Sequence, residues 1–496
     1  MTLSLLHPHP CRAPSSGAYT VILALSLCAM LPLAGCATAD IDALSPKVSL
    51  RDATSLGLTG ANAQAAAMNP VQASWWQTYG DSRLNALVEQ ATRHNPSLQA
   101  ARTRVARAEA LMQWAETLNR PQVTAGLDIT HQRYTQKGMV PPPMAGTVQD
   151  TGTLQVTLGG ELDFFGKNRA ALQSALGQAR AAEAESQAAQ ILLQSQVVRT
   201  WMRLHAVHGQ MQWAQRTLQQ RQEMATLIRQ RTQAGLDSEL ELRQAEAGLP
   251  EARAQIESLR EQWDLTQNAL STLAGQPPDY RAPEPIALAS LPSMTLPTAV
   301  PSDLLGRRAD VAAARWRVEA MVGERDQARA QFYPNINLVA FAGLSSIGLD
   351  RLLQAGAVQW GMGPAVRLPV FDGGRLRANL QAKAADLDAA VLSYNATLTD
   401  AIKEVLDALA TWKSVVAQQA EQRQALELAQ KTYALIRSRQ EAGMANSLQV
   451  LMAETAVIAQ HRSALDLQSR LRDAEVSLVR ALGGGFHFDL LTKTPS

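Results

Sequence analysis

The sequence predicts a mainly α-helical fold that contains a two-fold internal repeat and four β-strands. Two long stretches, 144–249 and 370–494, contain no proline, a residue that interrupts helices. A segment in which apolar and polar residues alternate, as in a β-strand, leads into each long helical run. Similar patterns recur at offsets of 206 to 213 residues. Each half of the chain is therefore predicted to form a helix, a hairpin, a long helix and a return helix.

Composition and charge argue against several classes of function. The formal net charge is +2, from 46 basic and 44 acidic residues, and no basic cluster is interleaved with aromatic residues. This balance argues against a nucleic-acid partner. The histidines are scattered, without acidic residues at metal-ligand spacing, and no glycine-rich phosphate loop joins a strand to a helix. We therefore expect no enzyme activity, no catalytic residue, no metal and no cofactor.

Residues 1–35 are predicted to be a lipoprotein signal peptide. The apolar run 21–33 spans about 13 residues, too few to cross a bilayer as a helix but typical of a signal sequence. It ends in Leu33-Ala34-Gly35-Cys36, which resembles the bacterial lipoprotein box. Cys36 is thus the predicted site of lipidation by acyl chains such as palmitate. Residues 36–74 are small, polar and aperiodic, which indicates a lipidated N-terminal tether.

The first repeat, 75–276, begins with helices and continues into a β-hairpin. Leu98, Val105 and Met112 lie at helical spacing before Pro121, which ends the helix. In the hairpin, 122–165, apolar residues alternate with polar ones, so one face is apolar and the other polar. A sheet that lies on a soluble core gives the same pattern and is the commoner case. The hairpin alone does not decide between a soluble sheet and a membrane sheet.

A long helix, 166–233, follows the hairpin. At about 1.5 Å per residue it would be roughly 100 Å long, and such a helix must pack against partners along its length, as in a coiled coil. The chain then turns and runs back through a return helix, 237–274. A proline-rich connector, 277–301, leads to the second copy.

The second repeat, 302–485, contains the same elements in the same order. The junction of strand and helix at Phe165 and Arg169 recurs at Phe371 and Arg375. The predicted bounds are 335–371 for the hairpin, 373–442 for the long helix, 445–482 for the return helix and 486–496 for a C-terminal tail.

Four strands in one chain are too few to close a barrel. In a membrane, each unpaired backbone group at an open edge would cost several kcal/mol. A membrane sheet therefore requires several chains to share one barrel. The lipid anchor and helices longer than a bilayer is thick favour this interpretation over a soluble sheet.

Several motifs together resemble those of outer membrane factors of the TolC and OprM type, and more closely those of the NodT-type efflux lipoproteins. The motifs are Leu33-Ala34-Gly35-Cys36, Trp75-Trp76, Glu161-Leu162-Asp163-Phe164-Phe165-Gly166, Leu304-Leu305-Gly306-Arg307-Arg308-Ala309-Asp310, Phe332-Tyr333-Pro334 and Leu368-Pro369-Val370-Phe371-Asp372-Gly373-Gly374-Arg375. The resemblance covers residues 36–485. It implies a homotrimer in which four strands per chain build a 12-stranded outer-membrane β-barrel above a periplasmic α-helical coiled-coil barrel.

The resemblance also implies the function. The trimer would be the passive outer-membrane duct of a tripartite system, lipid-anchored in the outer membrane, with an inner-membrane pump and a periplasmic adaptor as partners. Its cargo would be small molecules such as drugs or aromatic acids. One alternative is the exit duct of a type I peptide secretion system. Another is a periplasmic coiled-coil adaptor or scaffold lipoprotein, which predicts one helical hairpin between compact β domains.

The turns between the long and return helices are the predicted docking tips for the adaptor or pump. Both turns have the pattern Arg-x-x-x-Gly. Ordinary helix capping explains the same glycines and arginines, and the two roles are compatible. The candidate docking residues are Arg231, Gly235, Leu236, Arg439, Gly443 and Met444.

A periplasmic gate is expected just past the tips, where the family places rings of carboxylates. This sequence departs from that pattern, because Gln449 and Met452 occupy the positions where relatives have aspartate. Acids after the first turn could replace them, although acids also favour a helix start through the helix dipole. The candidate gate residues are Asp237, Glu239, Glu241, Gln449, Met452 and Glu454.

Overall fold

A computed structural model describes residues 47–51, 71–294 and 308–486. The predicted signal peptide, Cys36 and part of the connector lie outside these ranges. The chain divides into two compact units. The sheet unit comprises Met112–Ala175 and Glu319–Ala389, together with the described residues up to Val48. The helical unit comprises the described parts of Ser49–Leu111, Leu176–Val318 and Ala390–Ser496.

The order of elements confirms the predicted fold class, which is mainly helical with a two-fold repeat and four strands. Within the described ranges, no helix has both the length and the hydrophobicity of a membrane-spanning segment. The helices and strands are α1 (Ser82–His94), α2 (Pro96–Thr117), β1 (Gln122–Arg133), β2 (Val148–Leu162), α3 (Lys167–Gln233), α4 (Glu239–Ala274), α5 (Ala309–Ala330), β3 (Asn335–Ile347), β4 (Val358–Arg367), α6 (Arg375–Glu441) and α7 (Ser447–Ala481).

The four strands form one antiparallel sheet in the order β1-β2-β3-β4. Cross-strand rows of apolar side chains share one face, because alternate residues of a strand point to the same side. Most of these side chains are exposed, including Val123 at 67 % and Trp360 at 76 %. The rows are Val123-Leu158-Ala340-Met362, Ala125-Val156-Ala342-Trp360 and Leu127-Leu154-Leu344-Val358.

Carboxylates cap both long helices at the junction of strand and helix. The backbone NH of Arg169 donates to Asp163 at 2.9 Å, and the backbone NH of Leu376 donates to Asp372 at 2.7 Å. Gly166 and Gly373 adopt φ angles of 77° and 66°, which a β-carbon disfavours. The glycines shape the turns, and the aspartates satisfy the free NH groups at the helix starts.

The core of the helical unit is built around aromatic residues at the start of the fold. Trp75, Trp76 and Tyr79 are buried against α1, α3, α4 and α7. Tyr79 donates a hydrogen bond to Glu475 at 3.1 Å. Arg472, which is paired with Glu475, donates to backbone carbonyls of the connector at 2.6 and 3.0 Å. The connector is therefore held to α7 by buried polar contacts.

Part of the predicted tether contacts α6. In the sheet unit, the backbone NH of Lys47 donates to Asp388 at 3.0 Å. In the helical unit, the backbone NH of Arg51 donates to Asn395 at 2.9 Å, and the Asn395 amide donates to the carbonyl of Ser49 at 3.1 Å. Asn395 thus bonds to the backbone of the residues before and after Leu50, along one edge of the segment, as a neighbouring strand would.

Candidate functional site

The two turns that carry the candidate docking residues have the same backbone structure. In the first, the NH of Leu236 donates to the carbonyl of Arg231 at 2.8 Å, and the NH of Gly235 donates to Thr232 at 3.0 Å. This bond pair is a Schellman motif, with Gly235 at a φ of 70°. In the second turn, Met444 donates to Arg439 at 2.8 Å and Gly443 to Gln440 at 2.9 Å, with Gly443 at 73°.

Contacts of α3 bring the two turns to one end of the helical unit. On one side, Arg229 of α3 pairs with Glu246 of α4 at 2.9 Å. On the other side, the Gln220 amide donates to the carbonyl of Leu451 in α7 at 2.8 Å. Because α3 packs against both return helices near their starts, the turns lie at the same end.

Each turn exposes one large apolar side chain. Leu236 is 66 % exposed and Met444 is 73 % exposed. Both follow the glycine, so the Schellman turn fixes where each side chain projects. Exposed apolar residues at matching positions in two copies provide the kind of surface that packs against a partner helix.

An ion pair distinguishes the first turn from the second. The guanidinium of Arg231 donates to both carboxylate oxygens of Asp237, at 2.7 and 2.8 Å. The hydrogen bond from Arg231 lowers the pKa of Asp237, and the same bond raises the pKa of Arg231. In the second copy Ala445 replaces this aspartate, and among the described residues Arg439 has no carboxylate partner.

Two candidate gate residues cap the return helices. The carboxylate of Glu241 accepts from the backbone NH of Ser238 at 2.7 Å and from its hydroxyl. These bonds lower the pKa of Glu241, and the hydroxyl contributes most. In the second copy, Gln449 accepts from the backbone NH of Asn446 at 3.2 Å, and the Asn446 side chain accepts from the NH of Gln449 at 2.9 Å.

The remaining gate candidates have different surroundings. Glu239 pairs with Arg243 at 2.6 Å on the exposed face of α4. Glu454 is buried and accepts a hydrogen bond from Arg216 of α3. Met452 has an apolar side chain that is 62 % exposed. Every acid among the gate candidates therefore has a polar partner within its own chain.

Sequence reasoning missed a buried polar cluster around Asp81. This residue caps α1 and also accepts from the indole NH of Trp201 at 3.1 Å. The Nδ1–H group of His205 donates to the carbonyl of Ile286 at 2.7 Å, and burial lowers the pKa of His205. In the sequence, an aspartate before a helix start indicated the capping role of Asp81. Its hydrogen bond to Trp201 could not be predicted, because the two residues are 120 positions apart. No group of three or more potential metal ligands occurs among the described residues.

Comparisons with known proteins agree with this architecture. The model of the family described as outer membrane efflux protein matches residues 87–276 and 300–484. The multidrug resistance outer membrane protein MdtQ of Escherichia coli O157:H7 is 30 % identical over 475 residues, which are 92 % of this chain and 96 % of that protein. The fusaric acid resistance protein FusA of Burkholderia cepacia is 37 % identical over 316 residues, 62 % of this chain and 59 % of that protein.

A solved structure extends the similarity to the fold. The outer membrane protein VceC of Vibrio cholerae matches with a TM-score of 0.75 and 33 % sequence identity. The match covers 84 % of this chain and 100 % of that chain.

Proposed function

The chain belongs to the outer membrane efflux protein family and is an efflux channel of the outer membrane, and we propose that three copies form one passive duct. An inner-membrane pump supplies the energy, and a periplasmic adaptor connects the pump to the duct. The cargo is small molecules, in keeping with the multidrug and fusaric acid resistance named for the relatives.

The observation that carries this proposal is the four-stranded sheet. Its apolar face is exposed across all four strands, and among the described residues β1 and β4 each have one edge without a pairing strand. An exposed apolar face suits lipid, but an open edge does not, because lipid cannot satisfy backbone hydrogen bonds. Pairing β4 of one chain with β1 of the next satisfies both requirements.

Ion conductance in planar bilayers tests the duct. The purified protein should run as a heat-modifiable trimer from the outer-membrane fraction and should open stable ion-conducting channels. A monomer that inserts no channel would favour a scaffold role instead.

The two Schellman turns are proposed to dock the adaptor or pump through Leu236 and Met444. Replacing both with serine removes the exposed apolar surface without changing the backbone, so the duct should still form. Efflux and adaptor crosslinking should both fall. Leu240→Ser is the matched control, because Leu240 is 65 % exposed on the first turn of α4 but lies outside the turn itself. Full efflux and full crosslinking in the Leu236→Ser/Met444→Ser protein would contradict docking at these residues.

Met452 is proposed as the residue that narrows the periplasmic end, with Glu239 and Glu241 as secondary candidates. The acidic candidates are engaged in helix capping or ion pairs within the chain, whereas the side chain of Met452 is exposed. This difference supports Met452 as the residue that narrows the channel. Met452→Ala should raise single-channel conductance, whereas Glu454→Gln, at a buried site, should change it little. Unchanged conductance in Glu239→Ala, Glu241→Ala and Met452→Ala would remove all three from the gate.

Lipidation at Cys36 is proposed as a second membrane anchor of the trimer, besides the sheet. Cys36→Ser should abolish incorporation of labelled palmitate, while the sheet should keep the protein in the membrane fraction. Palmitate labelling that persists in Cys36→Ser would place the modification elsewhere.

A further inference from the structure

The polar face of the sheet contains a concavity that the proposed duct does not by itself explain. Its walls are residues of all four strands that point away from the apolar face, including Thr124, Thr157, Asn337 and Arg367. The cavity has a volume of about 630 Å³, which is within the range of pockets for small organic ligands.

The lining has a surplus of positive charge. Arg120 and Arg367 both line the concavity and are exposed. In the part of the chain that the structure describes, neither guanidinium donates a hydrogen bond or forms an ion pair. Lys167 also lines it, but Glu161 neutralises this ammonium group at 2.8 Å. Two guanidinium groups are thus available to an anion in each chain.

An indole ring accompanies these charges. Trp114, from the last turns of α2, lines the same concavity and is 63 % exposed. Leu118 adds further apolar surface beside it. An exposed indole offers a flat face for a planar ring, and aromatic pairs gain stacking energy beyond simple burial of area.

We propose that this concavity is a transit site for aromatic carboxylates. Arg120 and Arg367 hold the carboxylate through charge-assisted hydrogen bonds, for which the guanidinium fork is well shaped. Trp114 stacks on the ring. Exposure to water keeps the binding weak, so that a bound molecule can leave the duct.

The inference rests on the proposed function, because the polar face lines the duct only if the apolar face meets lipid. It adds a site to the duct and narrows the small-molecule cargo to one class, aromatic carboxylates. Three copies would place three such sites around the wall at the level where strands meet helices.

Channel block by two matched carboxylates tests the site. Benzoate and cyclohexanecarboxylate have the same charge and similar size, but only benzoate has an aromatic face. With the wild-type trimer in planar bilayers, benzoate should reduce the chloride current at a roughly threefold or more lower concentration than cyclohexanecarboxylate. A reversal potential under a salt gradient should show a preference for anions.

Variants separate the two parts of the site. Arg120→Gln/Arg367→Gln should lower the anion preference and weaken the block by both carboxylates. Trp114→Leu should keep the anion preference but abolish the difference between the carboxylates, and Trp114→Phe should retain that difference. Arg133→Gln is the matched control, since Arg133 lies on β1 outside the concavity and should change neither quantity.

Equal block of the wild-type channel by the two carboxylates would overturn the inference. So would a difference that survives in Trp114→Leu, or an anion preference that survives in Arg120→Gln/Arg367→Gln. A wild-type protein that conducts no ions would contradict the duct itself, so the two failures are distinguishable.

Discussion

Single residues in this chain often have roles that only the folded structure reveals. Arg472 and Glu475 lie three positions apart on α7 and look, in sequence, like an ordinary surface pair. Both are almost fully buried, at 5 % and 1 % exposure. Burial raises the pKa of Glu475, although Arg472 opposes this effect. The pair could not be predicted, because the residues that bury it come from distant parts of the chain.

Removing one member of this pair should destabilise the protein strongly. In Glu475→Ala, the guanidinium of Arg472 stays buried without its carboxylate, which typically costs about 3–5 kcal/mol. The midpoint of denaturant unfolding of the helical core should fall accordingly. Arg472→Met/Glu475→Leu removes both charges and should recover part of the loss. A Glu475→Ala protein that unfolds at the wild-type denaturant concentration would contradict this role.

Asp237 should stabilise the first turn in a pH-dependent way. Arg231 lowers the pKa of Asp237 below its ordinary value of 3.8 in the folded state. The stabilisation is therefore complete above that value and is lost as pH falls through the lower, folded pKa. Hydrogen-exchange protection of the Leu236 amide, corrected for intrinsic rate, should be constant above about pH 5 and fall below the ordinary pKa.

The second turn provides the internal control for this measurement. Ala445 stands where the first turn has its aspartate, so protection of the Met444 amide should not follow the same titration. Asp237→Asn should lower protection at Leu236 at neutral pH. Unchanged protection there would show that the ion pair does not hold the turn.

At the scale of elements, local sequence predicted the long helices well. The first was expected over 166–233 and runs from Lys167 to Gln233; the second was expected over 373–442 and runs from Arg375 to Glu441. Helical spacing, the absence of proline and the terminal glycines carry this information. The aspartate caps at the junctions were not predicted, because Asp163 and Asp372 occupy different positions relative to the repeated phenylalanine.

The glycines of the two turns should be needed for backbone reasons alone. A β-carbon added at Gly235 or Gly443 would meet no atom within 4 Å, so only the positive φ opposes alanine. Gly235→Ala and Gly443→Ala should each cost about 1–2 kcal/mol of local stability. Asparagine tolerates this conformation better, so Gly→Asn at either site should cost less.

Hydrogen exchange at the last turns of α3 and α6 would measure this cost. Equal protection in the alanine variants and in the wild-type protein would show that the turns tolerate a side chain. Equal loss in the alanine and asparagine proteins would point to steric contact with a partner chain instead.

At the scale of the whole molecule, the sequence predicted the repeat and the four strands. It could not decide alone whether the apolar face covers a soluble core or meets lipid, because alternation is the same in both cases. The structure shows that this face is exposed in the single chain, and the family match places the protein in the outer membrane. The proposed docking and gating would involve other chains, so one sequence specifies only which side chains are available.

Disulfide crosslinking between β1 and β4 tests most directly whether three chains share one barrel. Within one sheet these edge strands are about 14 Å apart, too far for a disulfide inside the chain. Each variant chain carries two cysteines, one on β1, such as Leu127→Cys, and one on β4, whose position is moved along the strand around Val358 from one variant to the next. The β1 cysteine of one chain should form a disulfide with the β4 cysteine of the neighbouring chain. Leu127→Cys/Leu154→Cys, which face each other within the chain, provide the control.

The closed three-chain barrel predicts a ladder of monomer, dimer and trimer that ends at the trimer for at least one β4 position. A ladder that continues beyond three chains, or no crosslink at any β4 position while the control disulfide forms, would contradict it.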